Sequence, residues 1–248
     1  MLRNATIRPW LIAAIAGAAF GAPAAAQRND NERFVDAARV LEIFTTDEEH
    51  GIPADILQGA RGIAVIPKVI RGGFIFGGRR GRGLLAIRSP NGEWSNPAFI
   101  TLTGGSIGAQ FGAESADVVL VFANDRSVRN IASGKFTLGG DATAVAGPLG
   151  RRTQGAVTGR AEVYVYMHSR GLFAGAAFEG TRLDVDEEAS AAFYRGTRGV
   201  PLGAQTFETP AAALPFLDAL RTAAVLPGAP NVDAPPPDAG EAVTFPLE

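Results

Sequence analysis

The residues whose types and spacing could do chemistry are a serine, two histidines, a knot of acids and a run of arginines. GGSIG, residues 104–108, has the G-x-S-x-G spacing of a nucleophile elbow, and Asp125 or Asp141 followed by His168 gives the chain order of a hydrolase triad. An elbow needs Ser106 on a strand-to-helix turn. The sequence instead continues IGAQFGAESADVVLVF, with glycines, β-formers and no helical period. A serine in a Gly-rich strand connection is the favoured reading, so catalysis by Ser106 and His168 is not expected. GRGLLA, residues 81–86, matches the dinucleotide pattern G-x-G-x-x-A, yet it runs into Pro90-Asn91-Gly92 rather than opening a helix. No glycine pair is followed by the Lys-Ser or Lys-Thr of a Walker loop. Two histidines and no cysteine leave little for a transition metal. DVDEE, residues 184–188, lacks EF-hand spacing and reads as a solvated helix N-terminus. Neither a metal nor a cofactor is expected.

The arginines are a different matter. Lys68, Arg71, Arg79, Arg80, Arg82 and Arg88 place six positive charges in 21 residues, with no acid between Asp55 and Glu93. Cations gathered on one surface would attract anionic phospholipid, each contributing about 1 kcal/mol. Strand alternation puts Arg80 and Arg82 on one face and Arg79 on the other. Whether the cluster forms one surface is therefore a question for the structure. Nucleic acid is a poorer match, because the chain is acidic overall, with a formal net charge of −2.

The charge is also divided along the chain. Residues 59–180 carry 14 Lys and Arg against 7 Asp and Glu, while residues 27–58 and 181–248 together carry 7 against 18. A basic middle lies between acidic flanks.

The elements that must position these residues fall into three parts. Arg3 and Arg8, the apolar run WLIAAIAGAAF and the small residues Ala24 and Ala26 read as a secretory signal peptide over residues 1–26, cut between Ala26 and Gln27. That predicts a periplasmic or secreted protein, and the absence of cysteine excludes a lipoprotein anchor. Residues 27–223 are expected to form one domain, and the Pro-rich, acidic residues 224–248 a flexible tail. Within the domain, Phe34, Ala37, Leu41 and Phe44 repeat at helical spacing over residues 30–49, with Asn29 or Asp30 as N-cap. A short helix is expected over 53–60. The runs GIAVIP, GGFIFGG, GLLAIR, AFITL, DVVLVFA, KFTLGG, AEVYVYM and LFAGAAF then read as strands, with SPNG making a tight hairpin turn. Helices follow over 125–134, capped by Asp125, over 186–196, capped by Asp186, and within 209–224, where Pro215 should kink or split the helix. Residues 59–180 hold 23 of the 31 glycines, which favours a strongly curved sheet with close backbone approaches. The fold class is α+β: a Gly-rich, curved, antiparallel and partly barrel-like sheet flanked by N- and C-terminal helices.

The order of motifs carries a resemblance as well. GIAVIPKVIRGGFIFGGRRGRGLL, GEWSNPAFITLTGGSIGAQFGAESADVVLVF, GKFTLGGDATAVAGPLGR, YMHSRGLFAGAAFEG and AFYRG, over residues 36–197, resemble the SYLF lipid-binding domain family. The resemblance implies a non-catalytic module that binds membrane lipid, with eukaryotic relatives that bind phosphoinositides and in some cases actin through a basic N-terminal helix. Bacterial relatives are typically exported or envelope-associated. Here the segment from Asp30 to Glu49 carries seven acids against Arg33 and Arg39, so a basic inserting helix is absent and actin is not an expected partner. The expected role is peripheral association with anionic phospholipid through Lys68, Arg71, Arg79, Arg80, Arg82 and Arg88, with Phe74 and Phe76 nearby. The alternative is a structural component of the envelope that binds another protein.

Overall fold

The computed structural model describes residues 22–47, 49–73, 76–107, 113–132, 135–147, 161–169, 180–194 and 208–224. Helix α1 (Ala22–Thr46) buries Phe34, Ala37, Leu41 and Phe44 as their spacing requires, and adds Val40. Neither Asn29 nor Asp30 caps it. The helix already includes APAAAQ, which is mostly alanine, the strongest helix former. The short helix α2 (Ala54–Gly59) begins after Pro53 as expected.

Eight strands among the described residues then form one sheet: β1 (Gly62–Gly73), β2 (Phe76–Ile87), β3 (Ala98–Ile107), β4 (Ala113–Phe122), β5 (Lys135–Thr137), β6 (Ala144–Ala146), β7 (Val163–Ser169) and β8 (Arg182–Val185). Their order across the sheet is β5-β8-β3-β2-β1-β4-β7-β6. The sheet is antiparallel as expected, except that β6 and β7 pair in parallel at one edge. GGFIFGG is not a strand of its own. Gly72 pairs with Gly78 and Gly73 with Gly77, so the segment is where β1 hands over to β2. LFAGAAF lies outside the described residues, whereas β6 and β8 had no counterpart in the sequence reading. SPNG makes the expected turn: the Gly92 N–H donates to the Ser89 carbonyl at 2.9 Å, Gly92 adopts φ +92°, and Arg88 bridges to Trp94.

The sheet curls. Phe122 on β4 and Phe136 on β5 are five strand positions apart, about 24 Å along a flat sheet. Their ring centroids are 5.7 Å apart. The two edge strands are also consecutive in the chain, with Gly139 and Gly140 turning between β5 and the Leu138 to Ala142 bridge. The concave face packs Ile66, Val69, Leu85, Leu102, Leu120, Phe122 and Phe136 into one core, closed by Val128 and Ile131 of helix α3 (Asp125–Ala132). Asn124, not Asp125, caps α3, its side-chain Oδ1 accepting the Ser127 N–H at 2.8 Å.

The convex face is covered by helices from both chain ends. Phe34 of α1, Phe99 of β3 and Phe193 of helix α4 (Glu187–Tyr194) form a triangle of rings with centroids 5.0 to 5.6 Å apart. Asp186 caps α4 as expected, accepting the Ala189 N–H at 2.9 Å. Helix α5 (Leu214–Ala224) packs Phe216, Leu217 and Leu220 against the same core. Pro215 does not split it. It occupies the first turn of α5, immediately after a 3-10 turn over Ala211–Ala213 that leads in. No helix among the described residues is long and apolar enough to cross a membrane.

β1 carries a bulge that sets the geometry of everything beyond it. Ile66 faces Val118 and Val69 faces Ala116, so Pro67 and Lys68 together oppose the single residue Asp117. Pro67 was expected to end the strand. It is tolerated because the bulge asks for no ladder hydrogen bond there. Lys68 adopts φ 52°, and its N–H donates to Asp117 Oδ1 at 2.8 Å. The displaced backbone leans over β2: a Cβ on Gly83 would lie 2.2 Å from the Val65 carbonyl oxygen, whereas one on Gly105 meets nothing within 4 Å. Gly83→Ala should therefore destabilise the fold by about 2–3 kcal/mol, lowering the thermal midpoint by roughly 4 to 12 °C. Gly105→Ala should leave the midpoint nearly unchanged, and equal midpoints for both variants would refute this account of the bulge.

Candidate functional site

The central hairpin brings four of the six expected cationic residues to one place. Lys68, Arg79, Arg80 and Arg82, with Pro67, Ile70, Gly78 and Gly81, line an open groove of about 630 Å³. The pairing of β2 with β3 runs without a shift from Phe76 to Leu85, so alternation along β2 is intact. Arg80 and Arg82 therefore share the convex side with Leu84 and Ala86, and both are exposed. Arg79 faces the concave side and is only 8% exposed. Its stem lies over Gly104, where an added Cβ would come within 3.1 Å of both the Arg79 chain and Thr181 Oγ1.

The bulge supplies a residue that sequence reasoning missed. Ile70 pairs with Arg80, so it shares the exposed convex side, and it is 60% exposed beside two guanidinium groups. Apolar periodicity alone assigns Ile70 to the core, because the extra residue at Pro67-Lys68 is invisible to a period of two. The signal that could have revealed it was proline followed by lysine inside an otherwise apolar strand.

The remaining expected residues go elsewhere. Arg88 is structural: its Nε donates to the Gly92 carbonyl at 3.0 Å, its Nη1 to the Gln58 carbonyl at 2.8 Å, and its guanidinium lies over Trp94 at 5.7 Å. It sits six residues along β2 from Arg82, about 20 Å away, and is not part of the groove. Arg71 is the backbone partner of Arg79 and Glu114, but its side chain lies outside the described set, as do Phe74 and the Phe76 side chain.

Helix α1 brings acids to this basic surface. Lys68 Nζ donates to Asp36 Oδ2 at 2.7 Å. Arg33 pairs with Asp30 at 3.2 Å and stacks over Phe99 at 4.9 Å. Burial pushes the Asp30 carboxyl up, with Arg33 and Arg82 pulling it down and Asp186 adding to the rise. Burial lowers Arg33, opposed by Asp30, with Arg82 adding to the fall. Arg82 thus belongs to the same electrostatic neighbourhood as the first half of α1. Neither Arg80 nor Arg82 makes an ion pair among the described residues.

The hydrolase triad is not assembled. The Ser106 backbone sits inside β3, paired with Gly77, and not on an elbow. His168 lies on β7, four strand positions across the sheet, with its ring edge-on to Phe44 at 6.3 Å. Asp125 pairs with Arg61 at 3.7 Å, and Asp141 accepts the Thr137 N–H at 2.7 Å. GRGLLA is strand throughout, without the helix that a dinucleotide loop requires. The acids of 184–188 are divided between the end of β8 and the start of α4, with Asp184 held by Arg182 at 2.7 Å. No group of three metal-ligating side chains occurs among the described residues.

The burial difference between neighbouring arginines is directly measurable. Arg79→Ala removes a buried stem and should cost about 2 kcal/mol in urea unfolding, whereas Arg80→Ala should change stability by no more than about 0.5 kcal/mol. A fluorophosphonate probe should not label Ser106.

Comparison with known proteins bears out the SYLF resemblance. Residues 103–223 match the family model Ysc84, described as "Las17-binding protein actin regulator". The "SH3 domain-containing YSC84-like protein 1" of Xenopus laevis is 40% identical over 166 residues, 64% of this chain and 49% of the relative. Its Homo sapiens counterpart is 39% identical over 166 residues, again 64% of this chain and 48% of the relative. "LAS seventeen-binding protein 3" of Saccharomyces cerevisiae is 37% identical over 158 residues, 62% of this chain and 34% of that protein. The chain thus spans about half or less of the curated relatives it matches. No solved structure matches it. The family match opens inside β3, although β3 is paired with a β2 that precedes it.

Proposed function

Because the chain carries a domain of the Ysc84 family, we propose that it is a non-catalytic binding module that associates peripherally with anionic phospholipid. One observation carries this reading: Arg80, Arg82 and Ile70 share an exposed face of the β1 and β2 strands, two guanidinium groups beside an apolar side chain. Guanidinium groups donate to phosphate oxygens with matched geometry, and an exposed isoleucine gains by leaving water for the acyl boundary. The carriers are narrower than the six-residue run. Arg80 and Arg82 are the contacts, Lys68 is held by Asp36, Arg79 supports from below, and Arg88 has no part. The N-terminal charge, apolar run and small-residue end support export to the periplasm or beyond, with cleavage at Ala26 and Gln27. Cutting there would shorten α1 while sparing its buried residues from Phe34 onward.

A protein partner is the second reading, favoured by the names of the relatives. The family model is described as a Las17-binding actin regulator and the yeast relative as a LAS seventeen-binding protein. The same groove could then receive an acidic segment of a partner.

Vesicle co-sedimentation of the protein separates the two. Two exposed arginines at about 1 kcal/mol each should give roughly 30-fold tighter binding to phosphatidylglycerol vesicles than to phosphatidylcholine vesicles. The preference should fall with added salt. Arg80→Gln with Arg82→Gln should erase it at unchanged thermal stability, and Arg88→Gln should keep it. Equal binding to both vesicle types overturns the lipid reading. A stoichiometric protein recovered with little lipid establishes the second.

A further inference from the structure

The groove is less basic than its residues suggest, because α1 sets a carboxylate at its margin, on Lys68. Lys68 Nζ meets Asp36 Oδ2 at 2.7 Å. Both partners are held there by their backbones. Lys68 is fixed by the bulge, with φ 52° and its N–H on Asp117 Oδ1. Asp36 is fixed because α1 is anchored on either side of it by Phe34, Ala37, Leu41 and Phe44 in the convex core. An exposed pair between two free side chains would dissolve readily beside a charged surface. Here the carboxylate stays at the groove margin whichever way Lys68 swings, since it is delivered by a packed helix.

We infer that Asp36 is a specificity-determining residue of the groove: it cancels the third cation and sets how anionic a surface must be before the protein binds. The inference rests on the reading of Arg80 and Arg82 as phospholipid contacts. With Lys68 cancelled, two guanidinium groups remain on the convex side, enough for a bilayer rich in monoanionic headgroups and too few for a sparsely charged one. Asp36 also opposes any approaching phosphate directly. Removing its charge therefore adds one net positive charge at the groove, that of a Lys68 no longer offset.

The test uses the full chain and vesicles of phosphatidylcholine with a low or a high fraction of phosphatidylglycerol. Asp36→Asn should bind the weakly anionic vesicles about 5-fold more tightly than wild type, the worth of one additional surface cation. Its thermal midpoint should fall by no more than about 4 °C. Asp218→Asn makes the same change in net charge on α5, where Asp218 pairs with Arg221 at 2.8 Å, and should leave binding unchanged. Adding Lys68→Gln to Asp36→Asn should remove most of the gain. Equal affinities for Asp36→Asn and Asp218→Asn overturn the inference, provided that wild-type binding depends on Arg80 and Arg82. If neither wild type nor Asp36→Asn binds anionic vesicles, the groove reading and this inference fall together.

Discussion

The architecture depends on one constraint: the two edge strands of an eight-stranded sheet, β5 and β6, are consecutive in the chain and tied by a short turn. A sheet of that width cannot stay flat when its edges are so joined. It has to curl, and the curl brings Phe122 against Phe136 across the concave side. The glycines follow from that demand. Gly81 sits where a side chain would strike Ile66 and Val69, and Gly83 where it would strike the β1 backbone. Strands this curved tolerate side chains only where the neighbouring strand leaves room. A sheet so shaped has two buried faces, which is why GIAVI and DVVLVF read as unbroken apolar runs rather than alternating ones.

The division of charge along the sequence acquires a spatial meaning from the same arrangement. The basic middle forms the central hairpin, and the acidic N-terminal flank forms the helix that lies beside it. Opposite charges far apart in sequence are thereby brought into contact, Asp36 on Lys68 and Asp30 near Arg82. Summed charge concealed this, and charge split by segment revealed half of it. The other half needed the packing of α1 on the sheet.

What could be read in advance follows the same division. The buried stripe of α1 was legible because 3.6-residue periodicity survives docking. The shared face of Arg80 and Arg82 was legible because the pairing of β2 with β3 has no shift. The exposure of Ile70 and the backbone of Lys68 were not, because one extra residue in β1 offsets everything after it. Arg88 lies apart from the groove for another reason. Charge density does not distinguish a guanidinium that reaches solvent from one that satisfies carbonyl groups at Gly92 and Gln58. The start of α1 was missed because a helix-forming alanine run outcompeted a good capping residue inside the same helix.

The packing of α1 against α5 joins the two ends of the domain over one core. During synthesis the β1-β2-β3 meander can pair from neighbouring segments alone, since its contacts are local in sequence. Phe34 of α1 and Phe193 of α4 can cover Phe99 on its convex side before the last helix emerges, but α1 and α2 still lack the α5 that packs against them. A nascent or truncated chain lacking α5 leaves the part of the core filled by Phe216, Leu217 and Leu220 open to solvent, a substrate for chaperones and proteases rather than a smaller working domain. The boundaries of any minimal fragment are thereby fixed by the two helices that close the core, not by the extent of the recognisable motifs.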